Sequence, residues 1–203
     1  MANPNAGEKN PVLKLIILMV FAAMLALGVF MALNRSKGAS QSDEEDMVLT
    51  PVQMVTSMDL KTNYPKNERA VVSAYLQITK ALYNEQYSEK EFDEMEKQLV
   101  QLYDEEFLKQ QSDYPAQLKK EVDQKKKDGY TISNFVVAEK DDVKFSEVDG
   151  KEMAGLQTMV SMRYKERIQT MYYNFVLRKA ENGQWKIVGW EKTDQSDMGF
   201  NAK

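Results

Sequence analysis

The chain of 203 residues contains no cysteine and no histidine. Their absence excludes thiol nucleophiles, Ser-His triads, imidazole acid–base catalysis and Cys/His zinc sites. It also excludes disulfide bonds. Because only carboxylate, lysine, tyrosine, serine and threonine side chains remain for chemistry, the sequence predicts a protein that is not an enzyme and has no cofactor.

An extended basic patch is also missing. The 27 basic and 31 acidic residues are interleaved and give a formal net charge of -4, which argues against nucleic acid as a partner. The basic run 125–127 precedes Gly129, which is typical of a helix end. The acidic clusters 43–46 and 104–106 lack the alternating ligands and glycine of an EF-hand loop, so no metal site is predicted.

The longest apolar run extends from Leu15 to Leu33 without a charged residue. At 1.5 Å per residue this run spans about 28 Å as a helix, close to the hydrocarbon thickness of a bilayer. A removable signal peptide, cleaved near Gly38-Ala39-Ser40, is the alternative. The run is longer than a typical signal segment, and its C-terminal end carries bulky side chains where a cleavage site needs small ones. We therefore predict a retained anchor with the lipid bilayer as its partner.

Charges on the two sides of this run nearly balance, with Lys9 and Lys14 before it and Arg35 and Lys37 after it. The short N-terminal tail favours a cytoplasmic N-terminus. We therefore expect a single-pass protein of the cell membrane whose C-terminal domain lies outside the cytoplasm.

The predicted organisation has five parts. They are a cytoplasmic tail (1–11), a transmembrane helix (12–34), a linker (35–63), a folded domain (64–193) and a C-terminal tail (194–203). Apolar residues between positions 47 and 55 indicate that part of the linker lies on the domain as a short strand, or on the membrane surface.

Three helices are predicted in the first half of the domain. The first follows the N-cap Asn67, the second follows Ser88 in a capping-box pattern, and the third begins near Pro115 and stops at Gly129. A short helical turn is expected after Asp104. Together these signals predict a helical layer ahead of the sheet.

From position 130 the apolar period changes to two, which predicts four or five antiparallel strands. Asp149-Gly150 indicates one hairpin, and Asn182-Gly183 indicates another with a type I′ turn. Helices followed by a strand meander define an α+β domain.

Three segments carry a resemblance to known families. They are Asn63-Tyr64-Pro65, the run from Leu102 to Phe107, and Leu177-Arg178-Lys179 with the ending Trp-Lys-Ile-Val-Gly-Trp. The chain resembles an uncharacterised family of clostridial single-pass membrane proteins with an NTF2-like (cystatin-like) domain. The resemblance implies three helices on a curved sheet that forms a cone, and it implies no activity.

The last strand supplies the candidate binding surface. Trp185 and Trp190 are five residues apart, so simple alternation places them on opposite faces of the sheet. Trp190, Val188 and Tyr172 would then form an apolar patch on the outer face, open to a protein partner or to self-association, or covered by residues 47–57 or the C-terminal tail. Tyr75 and Tyr83 are candidates for a ligand surface inside the cone.

These observations predict a non-catalytic, membrane-anchored extracytoplasmic binding or scaffolding module. One anchor followed by a domain of this type is also similar to the assembly factors of type IV secretion. The alternative is a pocket enzyme of the isomerase type, in which a tyrosine and a carboxylate stabilise an enolate. Because most tyrosines occupy apolar positions of helices or strands, packing is their favoured role.

Overall fold

The computed structural model describes residues 49–194. Its helices are α1 (Pro51–Thr56), α2 (Glu68–Asn84), α3 (Glu89–Leu102), α4 (Glu105–Gln110) and α5 (Tyr114–Lys127). Its strands are β1 (Tyr130–Val137), β2 (Lys144–Val148), β3 (Lys151–Tyr164), β4 (Arg167–Lys179) and β5 (Trp185–Thr193). Helices pack on a five-strand antiparallel sheet, which confirms the predicted α+β domain.

Helix starts follow the predicted capping residues. The Asn67 side chain accepts from the amide of Ala70, and Ser88 forms a capping box with Glu91. Asp104 caps α4, and Asp113 caps α5. Local capping chemistry therefore sets the ends of the helical layer.

The last part of the predicted linker belongs to the fold. Residues 51–56 form a helix and not a strand, because Thr50 and Gln53 make a capping box and Pro51 occupies the first turn. Val52, Val55 and Leu60 are buried in the core. Since α1 contacts α2 and α3, it does not cover the outer face of the sheet.

Other predictions for the chain ends lie outside the described residues. These are the tail 1–11, the membrane helix 12–34, the start of the linker and the tail beyond residue 194. Among residues 49–194, no helix is long and apolar enough to cross a membrane.

The long strand β3 organises the sheet. On one side it pairs with β4 over its whole length; on the other it pairs with β2 near its start and β1 near its end, and β4 pairs in turn with β5. Side chains of β3 alternate strictly, so that Leu156, Thr158 and Val160 face the helices and are buried. This face forms the floor of the core.

A bulge in β1 joins the sheet to the longest helix. Ser133 is the extra residue between the paired positions Ile132 and Asn134. The Asn84 amide donates to the Ile132 carbonyl and accepts from the Ile132 amide, both at 2.8 Å, and Lys80 donates to the Ser133 carbonyl. The end of α2 is thereby fixed against the bulge.

The hairpin at Asn182-Gly183 differs from the predicted type I′ turn. Only Gly183 has a positive φ in this turn, +80°, whereas a type I′ turn needs two such residues. The Gly183 amide donates to the Ala180 carbonyl, and the Ala180 amide donates to the Gln184 carbonyl. The loop thus has three residues, with glycine in the left-handed position.

A second bulge corrects the prediction for the tryptophans. Val176 pairs with Gly189 whereas Leu177 pairs with Ile187, which leaves Val188 as an extra residue. The alternation of β5 is therefore shifted by one, and Trp185 and Trp190 lie on the same, helix-facing side of the sheet. Trp190 is not part of an outer-face patch.

Candidate functional site

The three segments that carry the family resemblance meet beside β5. The Asp104 amide donates to the Ile187 carbonyl at 2.9 Å, and the Tyr64 hydroxyl donates to the Trp185 carbonyl at 2.7 Å. Arg178 binds the Asp104 carboxylate through two nitrogens, with Nε 3.0 Å from Oδ2. The same guanidinium lies 2.8 Å from a Glu106 oxygen. These contacts fix the connection between α3 and α4 against the sheet.

A cavity of about 480 Å³ lies between the helices and the sheet. This volume is within the range of small-molecule sites. Helices α2, α3, α4 and α5 supply one side of it, and β1, β3, β4 and β5 supply the other. Eight aromatic side chains line the cavity: Tyr75, Tyr83, Tyr103, Phe107, Tyr114, Tyr173, Phe175 and Trp190.

Trp190 stands at the centre of these rings. Its ring centroid lies 5.3 Å from that of Tyr75, 5.8 Å from Phe175 and 6.0 Å from Phe107. Trp190 nevertheless remains 38% exposed. Trp190 therefore belongs both to the ring cluster and to the solvent-exposed surface of the cavity lining.

The phenols of the cavity are neutral hydrogen-bonding groups. Burial raises the pKa of Tyr75 to about 12, and burial also raises the pKa values of Tyr83, Tyr103 and Tyr114. The Tyr114 hydroxyl donates to that of Tyr103 at 3.1 Å. At physiological pH these hydroxyl groups are uncharged and can act as hydrogen-bond donors or acceptors.

Glu121 is the acidic residue of the cavity lining. It projects from α5, and its carboxylate accepts a 2.7 Å hydrogen bond from the Tyr83 hydroxyl. No lysine or arginine in the described part of the chain lines this cavity. The site therefore combines ring faces, phenols and one carboxylate.

The residues proposed from the sequence divide into two groups. Tyr75, Tyr83 and Trp190 line the cavity together. Val188 is the bulged residue, and Tyr172 pairs with Met159 and Thr193, so its side chain lies on the outer face. The structure thus brings three of the five candidates to one place.

Sequence reasoning did not assign Glu121, Tyr103 or Tyr114 to a site. Helical spacing gave a signal for Glu121, since it lies three residues after Leu118 and seven after Tyr114 and so shares their face of α5. The chain order does not show that this face opens toward α2 and β5.

The outer face of the sheet carries a second, more polar cavity of about 660 Å³. Gln157, Asn174 and Glu191 form a row across β3, β4 and β5, because their backbones are in register. Val176 is exposed beside this row. The apolar patch predicted for this face is therefore interrupted by polar side chains.

Asp104 and Glu106, which the sequence analysis weighed as metal ligands, bind Arg178. Within the described range, no group of three or more acidic side chains is placed to hold a metal ion. The other acidic cluster, 43–46, lies outside that range.

Helices packed on a five-strand antiparallel sheet, with an aromatic cavity between the two layers, define the class of this α+β domain. The chain belongs to the family described as domain of unknown function (DUF6715), whose model matches residues 4–190. No curated protein matches the chain.

Proposed function

We propose that this protein is a membrane-anchored, extracytoplasmic binding module that holds a small ligand in the aromatic cavity between its helices and sheet. The apolar run 15–33 supports the anchor, because its length suits a bilayer and it carries no charge. In this proposal the protein does not catalyse a reaction. Its task is to capture a ligand at the outer surface of a bacterial cell membrane.

An NTF2-like cone is the fold that we propose for the domain. Two observations support it: the long helix α2 contacts both β1 and β5, and bulges interrupt both of these strands. Bulges bend strands and increase their twist. A bent sheet around a central helix leaves space between the layers, where the cavity lies.

The observation that supports ligand binding is the composition of the cavity wall. Eight aromatic side chains surround about 480 Å³, and Trp190 at the opening is 38% exposed. This space is open to solvent beside Trp190, so it is a cleft between the two layers and not a void inside the core. The wall offers ring surface and phenols to a ligand of small-molecule size.

An isomerase is the second candidate, favoured by the hydrogen-bonded phenols of Tyr103 and Tyr114 near a carboxylate. Such phenols can donate to an enolate oxygen. However, Glu121 accepts from Tyr83, so its carboxylate already has a protein partner and is not poised as a free base. Ligand binding therefore explains the site better, because it does not require a free carboxylate base.

Saturation-transfer NMR on the full chain in lipid nanodiscs tests ligand binding, with 2-phenylethanol as the probe and empty nanodiscs as the blank. We expect transfer to the ring protons of the probe. Gln117→Phe narrows the cavity and should weaken the signal several-fold, because Gln117 lines the cavity but is exposed.

Gln124→Phe is the matched control, since Gln124 is also an exposed residue of α5 but does not line this cavity. It should leave the signal unchanged. No transfer to the probe, or an equal loss of signal in both variants, would contradict binding in the cavity.

A further inference from the structure

The cavity differs in charge from the rest of the domain. Lysine and arginine are frequent between residues 49 and 194, yet neither lines the cavity, whereas Glu121 does. Glu121 forms no ion pair with any basic side chain in this part of the chain. The cavity thus presents an acidic group whose charge the protein does not neutralise.

The negative charge of Glu121 affects groups on the opposite side of the cavity. Burial raises the pKa of Tyr173, on the sheet side, and the negative charge of Glu121, on the helix side, raises it further. The same carboxylate contributes to the raised pKa of Tyr114. A cation placed between these residues would be attracted rather than repelled.

Six aromatic rings outside the cavity have cationic partners from the chain itself. Lysine ammonium groups lie over six rings, for example Lys126 over Tyr87 at 4.0 Å and Lys186 over Tyr64 at 4.1 Å. None of these six rings lines the cavity. Among the described residues, the ring faces of the cavity are therefore left without a cation from the protein.

From this charge pattern we infer that the ligand is an organic cation, a quaternary or protonated amine with apolar substituents, whose charge is held between Glu121 and the rings around Trp190. This inference rests on the proposed function and names the class of its ligand. Ring faces carry negative potential, and aromatic cages of this composition suit alkylammonium groups. Glu121 supplies the opposite charge that a purely apolar ligand would not need.

An isosteric pair of probes tests the inference. Choline and 3,3-dimethylbutan-1-ol have the same shape and differ in a positively charged nitrogen against a carbon. The full-length Trp185→Phe variant in nanodiscs leaves Trp190 as the sole tryptophan, so its fluorescence reports on the cavity. We expect choline to bind about 10-fold more tightly than the alcohol, because it gains both the carboxylate and the ring faces.

Glu121→Gln should reduce this preference several-fold, because it removes the carboxylate and leaves only the ring faces to favour the charged probe. It should weaken the binding of choline much more than that of 3,3-dimethylbutan-1-ol. Asp123→Asn is the matched control, as it removes a carboxylate from the same helix without touching the cavity, and it should keep the preference. Equal affinity for the two probes, or tighter binding of the alcohol, would refute the inference that the ligand is a cation. Either result would leave the proposal of ligand binding intact. Absence of binding by both probes would also refute the inference that the ligand is a cation. The proposed function itself fails only if the saturation-transfer experiment with 2-phenylethanol fails.

Discussion

Thr158 shows how a single residue can lower the stability of this fold. It lies on the helix-facing side of β3 with 0% exposure, and its hydroxyl has no hydrogen-bond partner within residues 49–194. A buried hydroxyl without a partner costs free energy, because it has lost its bonds to water. The methyl group of the same side chain, by contrast, is well placed in an apolar core.

We expect Thr158→Val to raise the free energy of unfolding by about 1 kcal/mol, since it replaces the unpaired hydroxyl with a methyl group of similar size. Thr158→Ser keeps the hydroxyl and removes the methyl group, so it should lower stability by about 1 kcal/mol. Urea denaturation followed by circular dichroism measures both changes. A loss of stability in the valine variant would show that the hydroxyl has a partner in solution.

The candidate residues of the site show what sequence patterns can predict at this scale. Tyr75 and Tyr83 were candidates for a ligand surface, with core packing as the favoured role, because an apolar stripe at helical spacing points toward the core. The structure places both side chains in the cavity lining. Glu121 was missed, since a carboxylate on an amphipathic helix usually faces water. Only the position of α5 relative to α2 reveals that this carboxylate meets Tyr83.

Among the elements, the helix starts that follow capping residues were predicted better than the faces of the last strand. Asn67, Ser88 and Asp113 cap their helices through contacts within a few residues, so a local pattern is sufficient. The face of Trp190 could not be predicted in this way. It depends on the bulge at Val188, which exists only because β5 pairs with β4.

The connection between α3 and α4 owes its position to Arg178. Burial would raise the pKa of Asp104, but hydrogen bonds from Arg178 and from the Glu106 amide, together with the guanidinium charge, outweigh it and lower the pKa. The side chains of Asp104 and Arg178 are only 12% and 15% exposed. Solvent therefore screens this pair much less than a surface ion pair.

We expect Asp104→Asn to lower the free energy of unfolding near pH 7 by about 2–3 kcal/mol, because it leaves the buried Arg178 charge with only the more exposed Glu106 carboxylate as a partner. A carboxyl whose pKa is lowered by folding stabilises the protein above its unfolded pKa of about 3.9. This contribution is lost as the pH falls through the lower, folded value. The difference between the two proteins should therefore shrink near pH 3, as measured by urea denaturation at both pH values.

Lys151→Ala is the control for this experiment. Lys151 and Glu106 form an ion pair at 3.8 Å, with both side chains more than half exposed. Its loss should change stability by less than about 0.5 kcal/mol. An equal effect of the two substitutions would mean that burial does not strengthen the Asp104–Arg178 pair.

At the scale of the whole molecule, the absence of cysteine makes the proposed orientation testable. Asp141→Cys introduces one thiol at an exposed position between β1 and β2. A membrane-impermeant maleimide should label this thiol in intact cells as fully as in permeabilised cells, because the domain is proposed to lie outside the cytoplasm.

Asn5→Cys, in the proposed cytoplasmic tail, should be labelled only after permeabilisation. The reverse pattern would place the domain inside the cell. Release of the protein from membranes by alkaline carbonate would instead contradict a retained anchor, since a membrane-spanning helix resists such extraction.

At the bulge in β5, the number of residues matters more to this domain than their identity. Inserting one further residue between Trp185 and Trp190 would turn the indole of Trp190 to the other face of the sheet, because the bulge accommodates only one extra residue. Every ring of the cavity would still be encoded, yet the cavity would lose the wall at its opening. The spacing of the two tryptophans, not only their presence, therefore decides whether a chain of this kind carries the site.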